Sequence, residues 1–484
     1  MKLNNPELLR SQCLINGEWC DALSGKREAV INPATGAELA SIPLVSEEET
    51  QQAIAAAQRA QNDWKQLTAK QRSALLLAWA DKVLAAQEDL AQLMTAEQGK
   101  SLAEARGEVA YAASFITWFA EEAKRVDGAV LQAPQASQRL VVVKQPIGVC
   151  AAITPWNFPA AMITRKVAPA LAAGCAIIVK PAEQTPLTAL ALAKLAQDAG
   201  IPAGVLQVVT GEAAQVGKVL CDSPVVRKLS FTGSTEVGRI LMAQCAPSIK
   251  KLSLELGGNA PVIVFDDANL DAAVAGIMAS KFRNSGQTCV CANRIYVQDG
   301  IYERLVEKLV AAVEQLKVGD GSQEGTTQGP LIDSDAVAKV QSHIDDALIK
   351  GAQIATGGQP HALGGTFFQP TVVTGVTQKM RFAKEETFGP VAPLFRFHDE
   401  AEAIAMANDT EFGLAAYLFT QNAARQWRVP EALEYGMVGI NTGLISNEVA
   451  PFGGVKQSGL GREGSRYGIE EYLELKYLCI DVSC

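Results

Sequence analysis

From residue 139 to 264 the chain alternates short β-branched runs with amphipathic helical patterns, and this alternation limits the fold more than any other feature. Strands are predicted at residues 149–154, 176–180, 205–209, 228–232, 251–255 and 262–265. Helices are predicted between them at 160–173, 186–199, 213–221 and 235–245, the second with Thr185 as its N-cap and Gly200 as its stop. Strand then helix, repeated, is the pattern of a parallel sheet covered on both faces. The run Ala176-Ile177-Ile178-Val179 has no polar face to offer solvent, as a strand buried on both sides requires. The expected fold class is α/β with a doubly wound sheet.

Long amphipathic patterns at 47–64 and 71–95 follow a short strand-rich stretch at 14–19. A second α/β alternation begins after Gly286 and runs through 294–297, a long helix from Tyr302, and 371–376, which suggests a second domain. The alternating segments 139–144 and 472–480 are expected to pair in a small protruding sheet, whose open edge invites subunit pairing. The length of 484 residues matches about three domain-equivalents at roughly 150 residues each.

Lys and Arg total 43 against 52 Asp and Glu, and no basic stripe forms, which argues against nucleic acid as a partner. The longest apolar run, residues 167–179, contains Pro169 and Gly174 and is too short to span a bilayer, so no membrane association is expected. The polar N-terminus lacks an apolar signal core, and ten scattered cysteines fit a reducing compartment; the expected location is cytoplasmic. With three histidines and no C-x-x-C pair, a zinc site or a Cys/His protease is hard to assemble, and no metal is expected.

Two glycine-rich stretches imitate nucleotide motifs. Gly459 to Gly464 matches G-x-G-x-x-G, yet no predicted strand feeds it and it reads as a surface loop. Gly211 to Lys218 has one residue too many between its glycines for a P-loop, and Val219 stands where Ser or Thr would hold magnesium. A better anion site is Phe231-Thr232-Gly233-Ser234-Thr235, at the joint of a predicted strand and helix, where Gly233 admits a ligand and Ser234 faces it; an ordinary N-cap fits the same residues.

The chemistry gathers around Ser285-Gly286-Gln287-Thr288-Cys289-Val290-Cys291. Cys289 follows a glycine turn and reads as an exposed, reactive thiol or else as one inert cysteine among ten. Glu255, between two leucines at a strand's end, suits general-base work if desolvated, and Asn157 places an amide at the carboxyl end of another strand, where open α/β sheets bind ligands.

Six segments taken together, Pro155-Trp156-Asn157-Phe158, Lys180-Pro181-Ala182-Glu183, Phe231 to Thr235, Glu255-Leu256-Gly257-Gly258, Gly286-Gln287-Thr288-Cys289 and Glu386-Thr387-Phe388-Gly389-Pro390, resemble the ordered motifs of the aldehyde dehydrogenase superfamily. Within it, the residues around Arg165, Arg283, Cys291 and Ser446 most resemble succinate-semialdehyde dehydrogenases. The resemblance implies a discontinuous NAD(P)-binding domain (1–122 and 146–257) of variant doubly wound form, a catalytic domain (258–457) and an oligomerisation segment (123–145 and 470–484), assembled as a homodimer or homotetramer. It implies Cys289 as nucleophile, Asn157 as oxyanion donor and Glu255 as the base that hydrolyses a thioester. Thr154, Pro155, Trp156, Lys180, Glu183, Gly233, Ser234, Glu386 and Phe388 are implied to hold the cofactor, and Arg165, Arg283 and Ser446 the carboxylate of a small anionic aldehyde. Glu183 accepts from a free ribose 2′-hydroxyl and repels a 2′-phosphate, so NAD is expected over NADP.

Succinate semialdehyde is the expected substrate, with glutarate semialdehyde or another short aldehyde as the alternative. The resemblance also implies that Glu255 disfavours transfer of the thioester to coenzyme A, since family members of that kind generally lack the base glutamate. A reading of another class, a non-catalytic scaffold, is disfavoured by the intact Cys289, Glu255 and Asn157. Cys291, two residues from Cys289 in a segment read as extended, is a redox candidate at the upper limit of disulfide reach.

Overall fold

The computed structural model describes residues 1–483. Its largest sheet has eight strands, ordered Gly459–Leu460, Lys251–Glu255, Val226–Thr232, Val149–Ile153, Ala176–Lys180, Leu206–Val208, Cys13–Ile15, Glu18–Cys20. The five strands from Lys251–Glu255 to Leu206–Val208 run parallel. From Val149–Ile153 the chain first builds outward through Ala176–Lys180 and Leu206–Val208, then returns to lay Val226–Thr232 on the other side. The order therefore reverses between Val149–Ile153 and Val226–Thr232, and a crevice opens beyond their carboxyl ends, at Thr154 and Gly233. Both faces are covered, with Ile177 and Val179 in one apolar cluster and Ala176 and Ile178 in another.

A seven-stranded sheet carries the second alternation, in the order Gln353–Thr356, Thr371–Val376, Val391–Phe397, Ala292–Gln298, Ala260–Val264, Ala415–Phe419, Met437–Ile440. The two distant edge segments pair as expected: Leu473–Asp481 lies antiparallel to Gln138–Pro146 from Leu473 opposite Pro146 to Asp481 opposite Gln138.

Several local expectations are corrected. Thr185 occupies the N-cap position of helix Pro186–Asp198 without bonding its free N–H groups. The buried carboxylate of Glu97 accepts those of Leu187 and Thr188 instead, at 2.7 and 2.8 Å, a long-range cap. The predicted helix at 71–95 is two helices, Ala69–Ala85 and Gln87–Gln98, broken at Ala86. The expected loop at Gly459 is a short edge strand against Lys251–Glu255, with φ at +132° and space so tight that a Cβ would stand 1.8 Å from the Leu254 carbonyl oxygen. Its glycine serves close backbone approach rather than phosphate binding.

Candidate active site

Cys289 is delivered by an abrupt reversal. Helix Leu270–Lys281 ends, and Asn284, Ser285 and Gly286 all take left-handed backbone angles (φ 51°, 54° and 75°). For two non-glycine residues that conformation costs on the order of 1–3 kcal/mol each and needs support from the surroundings. Support comes from Glu104 Oε1, which accepts the Asn284 N–H at 2.7 Å, and from the Gly329 carbonyl, which accepts the Ser285 hydroxyl at 2.9 Å. Gly286 passes so close to the Gly389 carbonyl that a Cβ would stand 2.1 Å from its oxygen. The next residues form a turn, the Cys291 N–H donating to the Thr288 carbonyl at 3.0 Å, where an extended segment was expected.

The thiol of Cys289 is half-buried rather than exposed, and it borders two cavities. Burial pushes it up to about 12, while the charges of Arg165 and Arg283 pull it down. The Cys291 sulfur is fully buried and donates to the Lys281 carbonyl at 3.3 Å.

One cavity, of about 350 Å³, is walled by Tyr111, Phe158, Phe452, Arg165, Arg283 and Ser446, among others. The Arg165 guanidinium lies 3.9 Å from the Phe452 ring centroid, and that of Arg283 lies 5.3 Å from Phe158. Arg165 Nη2 and Arg283 Nε are buried without a hydrogen-bond partner. Arg165 Nε stands 3.0 Å from Glu463, which Lys166 also contacts. Positive donors converge here on a space with aromatic sides, a setting chemically suited to a small carboxylate.

The other cavity, of about 280 Å³, opens at the switch point and is lined by Pro155, Trp156, Asn157, Gly233, Ser234, Glu255, Glu386 and Phe388. Asn157 donates one amide hydrogen to the Gln287 carbonyl at 3.0 Å, leaving the second for a ligand. The Asn157 backbone carbonyl accepts from Lys100 at 2.8 Å and from Asn284 at 3.0 Å. Lys100 is itself paired with Glu108 at 2.5 Å, and Glu108 Oε1 accepts the N–H groups of Ala160 and Ala161. Sequence reasoning missed this buried support, because Lys100 and Glu108 lie about 50 residues before the loop they hold.

Both carboxylate oxygens of Glu255 are buried and unpartnered, and burial, followed by the charge of Glu463, raises its carboxyl well above the usual range. That is the environment of a general base held without competing donors. Glu386 accepts the Gly258 N–H at 3.2 Å and is pushed up to about 7 by burial. Trp156 and Phe388 meet edge to face with ring centroids 5.5 Å apart. Ser234 caps helix Thr235–Cys245 through the Val237 N–H. Thr154 lies at the end of its strand with its hydroxyl buried and unpartnered.

A third cavity, of about 910 Å³, shares Ile332 and Asp333 with the switch-point cavity and is lined by Glu28, Glu183 and Glu212. Lys180 lies buried beside it, its ammonium 2.5 Å from Glu183 Oε1. The two cavities adjoin at Ile332 and Asp333, a Cβ on Gly257 would stand 3.0 Å from Glu386 Oε2 and narrow the switch-point end, and the carboxylates of Glu183 and Glu386 are acceptors suited to the ribose hydroxyls of a dinucleotide.

Residues 19–478 match the model of the aldehyde dehydrogenase family. A succinate-semialdehyde dehydrogenase of Escherichia coli, named for NADP(+), is 65% identical, the match covering 99% of this chain and 100% of that protein. A glutarate-semialdehyde dehydrogenase of Pseudomonas putida is 64% identical over 100% of both chains. The crystal structure of a succinate-semialdehyde dehydrogenase from Burkholderia pseudomallei is 63% identical over 100% of both chains, with a TM-score of 0.99. Sequence and fold agree along nearly the entire length, and the chain belongs to the aldehyde dehydrogenase family.

Proposed function

We propose that the chain oxidises a short ω-carboxylate aldehyde, foremost succinate semialdehyde, to the corresponding acid with reduction of NAD(P), NAD being favoured over NADP. The observation that carries this reading is the place of Cys289, between a cavity with unpartnered guanidinium nitrogens and one with the unpartnered carboxylate of Glu255.

In this reading Arg165, Arg283 and Ser446 hold the distal carboxylate and aim the aldehyde carbon at Cys289. The Cys289 thiol, its anion favoured by the charges of Arg165 and Arg283, passes its proton to water in the cavity and attacks as thiolate, and the free Asn157 amide hydrogen and the Cys289 N–H hold the oxyanion. Losing one such donor typically costs ~10²–10³ in rate. Glu386, Phe388, Pro155, Trp156, Gly233 and Ser234 hold the nicotinamide and phosphate portions of the cofactor, Lys180 and Glu183 the adenosine ribose, with Thr154 behind them. When bound, the cofactor supplies a hydride acceptor. Glu255 takes a proton from water, which cleaves the thioester on Cys289 and frees the acid.

The acidic group Glu28, Glu183 and Glu212 supports NAD over NADP, because a 2′-phosphate meets like charge there. Residues 1–122 and 146–257 form the cofactor-binding domain, 258–457 the catalytic domain, and 123–145 with 470–484 the oligomerisation segment. Exposed Val130, on strand Ala129–Leu131 paired with Gln138–Pro146, and exposed Leu475, Tyr477 and Ile480 on the same small sheet support a homodimer or homotetramer. Nine described cysteines, all free, support a cytoplasmic setting.

A second reading, glutarate semialdehyde as substrate, is favoured by the Pseudomonas putida relative. Rates of NADH formation on a panel of ω-carboxylate aldehydes and their uncharged counterparts test both readings. The expected optimum in kcat/KM is succinate semialdehyde, with butyraldehyde far behind. Equal rates on charged and uncharged aldehydes refute the anionic substrate, and no aldehyde-dependent reduction of either NAD or NADP favours the scaffold reading.

A further inference from the structure

Helix Leu102–Glu122 runs along the substrate-side cavity and lines it with Glu104, Gly107, Glu108 and Tyr111, residues spaced to share one helical face. The Tyr111 ring meets Phe115 edge to face, centroids 4.8 Å apart, and Phe115 in turn lies 5.5 Å from the Arg165 guanidinium. The ring is thus fixed by packing, while its hydroxyl is buried and bonded to nothing.

The carboxylates in the same wall are already engaged. Glu104 accepts from Ser101 and the Asn284 N–H, and Glu108 from Lys100, Ala160 and Ala161. Neither takes the Tyr111 proton. Three buried donors without partners, Tyr111 Oη, Arg165 Nη2 and Arg283 Nε, therefore border one cavity of about 350 Å³. Buried polar groups are normally satisfied, so three orphans of one polarity in one wall point to an acceptor that arrives with the ligand. A carboxylate has two oxygens and about four acceptor sites, enough for all three together with Ser446.

We propose that the Tyr111 hydroxyl donates a hydrogen bond to the distal anion of the substrate and, with the two arginines, sets the preference for an ω-carboxylate aldehyde over an uncharged one of equal length. This rests on the reading of the cavity as the anion site. Burial raises the phenol above its ordinary range, so it stays protonated and able to donate at any working pH.

The test is Tyr111→Phe, which removes one oxygen and leaves the ring. The ratio of kcat/KM for succinate semialdehyde to that for butyraldehyde should fall roughly tenfold, as loss of a hydrogen bond to a charged group implies. The midpoint of thermal unfolding without ligand should not fall, because the hydroxyl has no partner to lose, while stabilisation by added succinate should weaken. An equal loss on both aldehydes, or an unchanged ratio, overturns the proposal. Arg283→Ala, run in parallel, separates the two claims. A fallen ratio there beside an unchanged one in Tyr111→Phe overturns the role of Tyr111 alone, and an unchanged ratio in both overturns the anion site.

Discussion

Replacing Glu183 with Ser should raise the rate with NADP relative to that with NAD. Glu183 lines the cavity of about 910 Å³ with Glu28 and Glu212, and its charge, after burial, raises the Glu28 carboxyl. A ribose 2′-phosphate brings close to two negative charges into this group. At about 6 Å and an effective dielectric of about 40–80, one carboxylate repels it by ~1.4–2.8 kcal/mol, or about tenfold to a hundredfold in kcat/KM. The substitution also releases the Lys180 ammonium, now 2.5 Å from Glu183 Oε1, to meet the phosphate. Initial rates with NAD and with NADP, at saturating aldehyde and two ionic strengths, measure the ratio. Because the Glu183 side chain is 27% exposed, added salt should narrow the wild-type difference. Wild-type protein that prefers NADP, or a ratio that stays within about twofold in Glu183→Ser, would refute the reasoning.

Three further outcomes are expected. Arg283→Ala should lower kcat/KM for succinate semialdehyde by roughly tenfold to a hundredfold, and Arg283→Lys should recover only part, since an ammonium lacks the planar fork; a loss shared equally by butyraldehyde makes the arginine structural. Steady-state turnover should rise with pH as the raised carboxyl of Glu255 ionises and becomes a base; a flat profile from acid to neutral pH contradicts that role. Brief peroxide exposure should inactivate the wild type in a form that dithiothreitol restores, and Cys291→Ala irreversibly; equal irreversible loss in both rules out pairing of Cys291 with Cys289.

Where burial on two faces imposes a continuous apolar run, as at Ala176–Lys180, the strand limits could be read from the residues alone, and the limits of Lys251–Glu255 and Thr371–Val376 were read correctly as well. Helix Thr235–Cys245 was equally legible, since Ser234 caps it locally. Failures occur where a distant group decides. Nothing near Thr185 says that Glu97 will cap its helix, and no glycine or proline marks the break at Ala86. The turn at Cys289 depends on left-handed Asn284 and Ser285, conformations that Glu104 and Gly329 sustain from elsewhere in the chain. Cys289, Glu255, Asn157, Glu386 and Phe388 were named from short, local motifs, whereas Glu28, Glu212 and Phe452, which line the same cavities, were not. Tyr111 was not, because an aromatic on a helix among other apolar residues reads as core. Only the unmet hydrogen bond of its hydroxyl sets it apart, and that is a property of the folded chain.

The most direct measurement uses Glu255→Gln. Its amide keeps the shape of the site but takes no proton, so an acyl group formed on Cys289 has no base to release it. The variant should be mixed with succinate semialdehyde and NAD, then examined by intact-protein and peptide mass spectrometry. The account predicts a burst of NADH close to one per chain, followed by near-complete arrest, with the added acyl mass on the peptide that carries Cys289. Sustained turnover with unmodified Cys289 would contradict it.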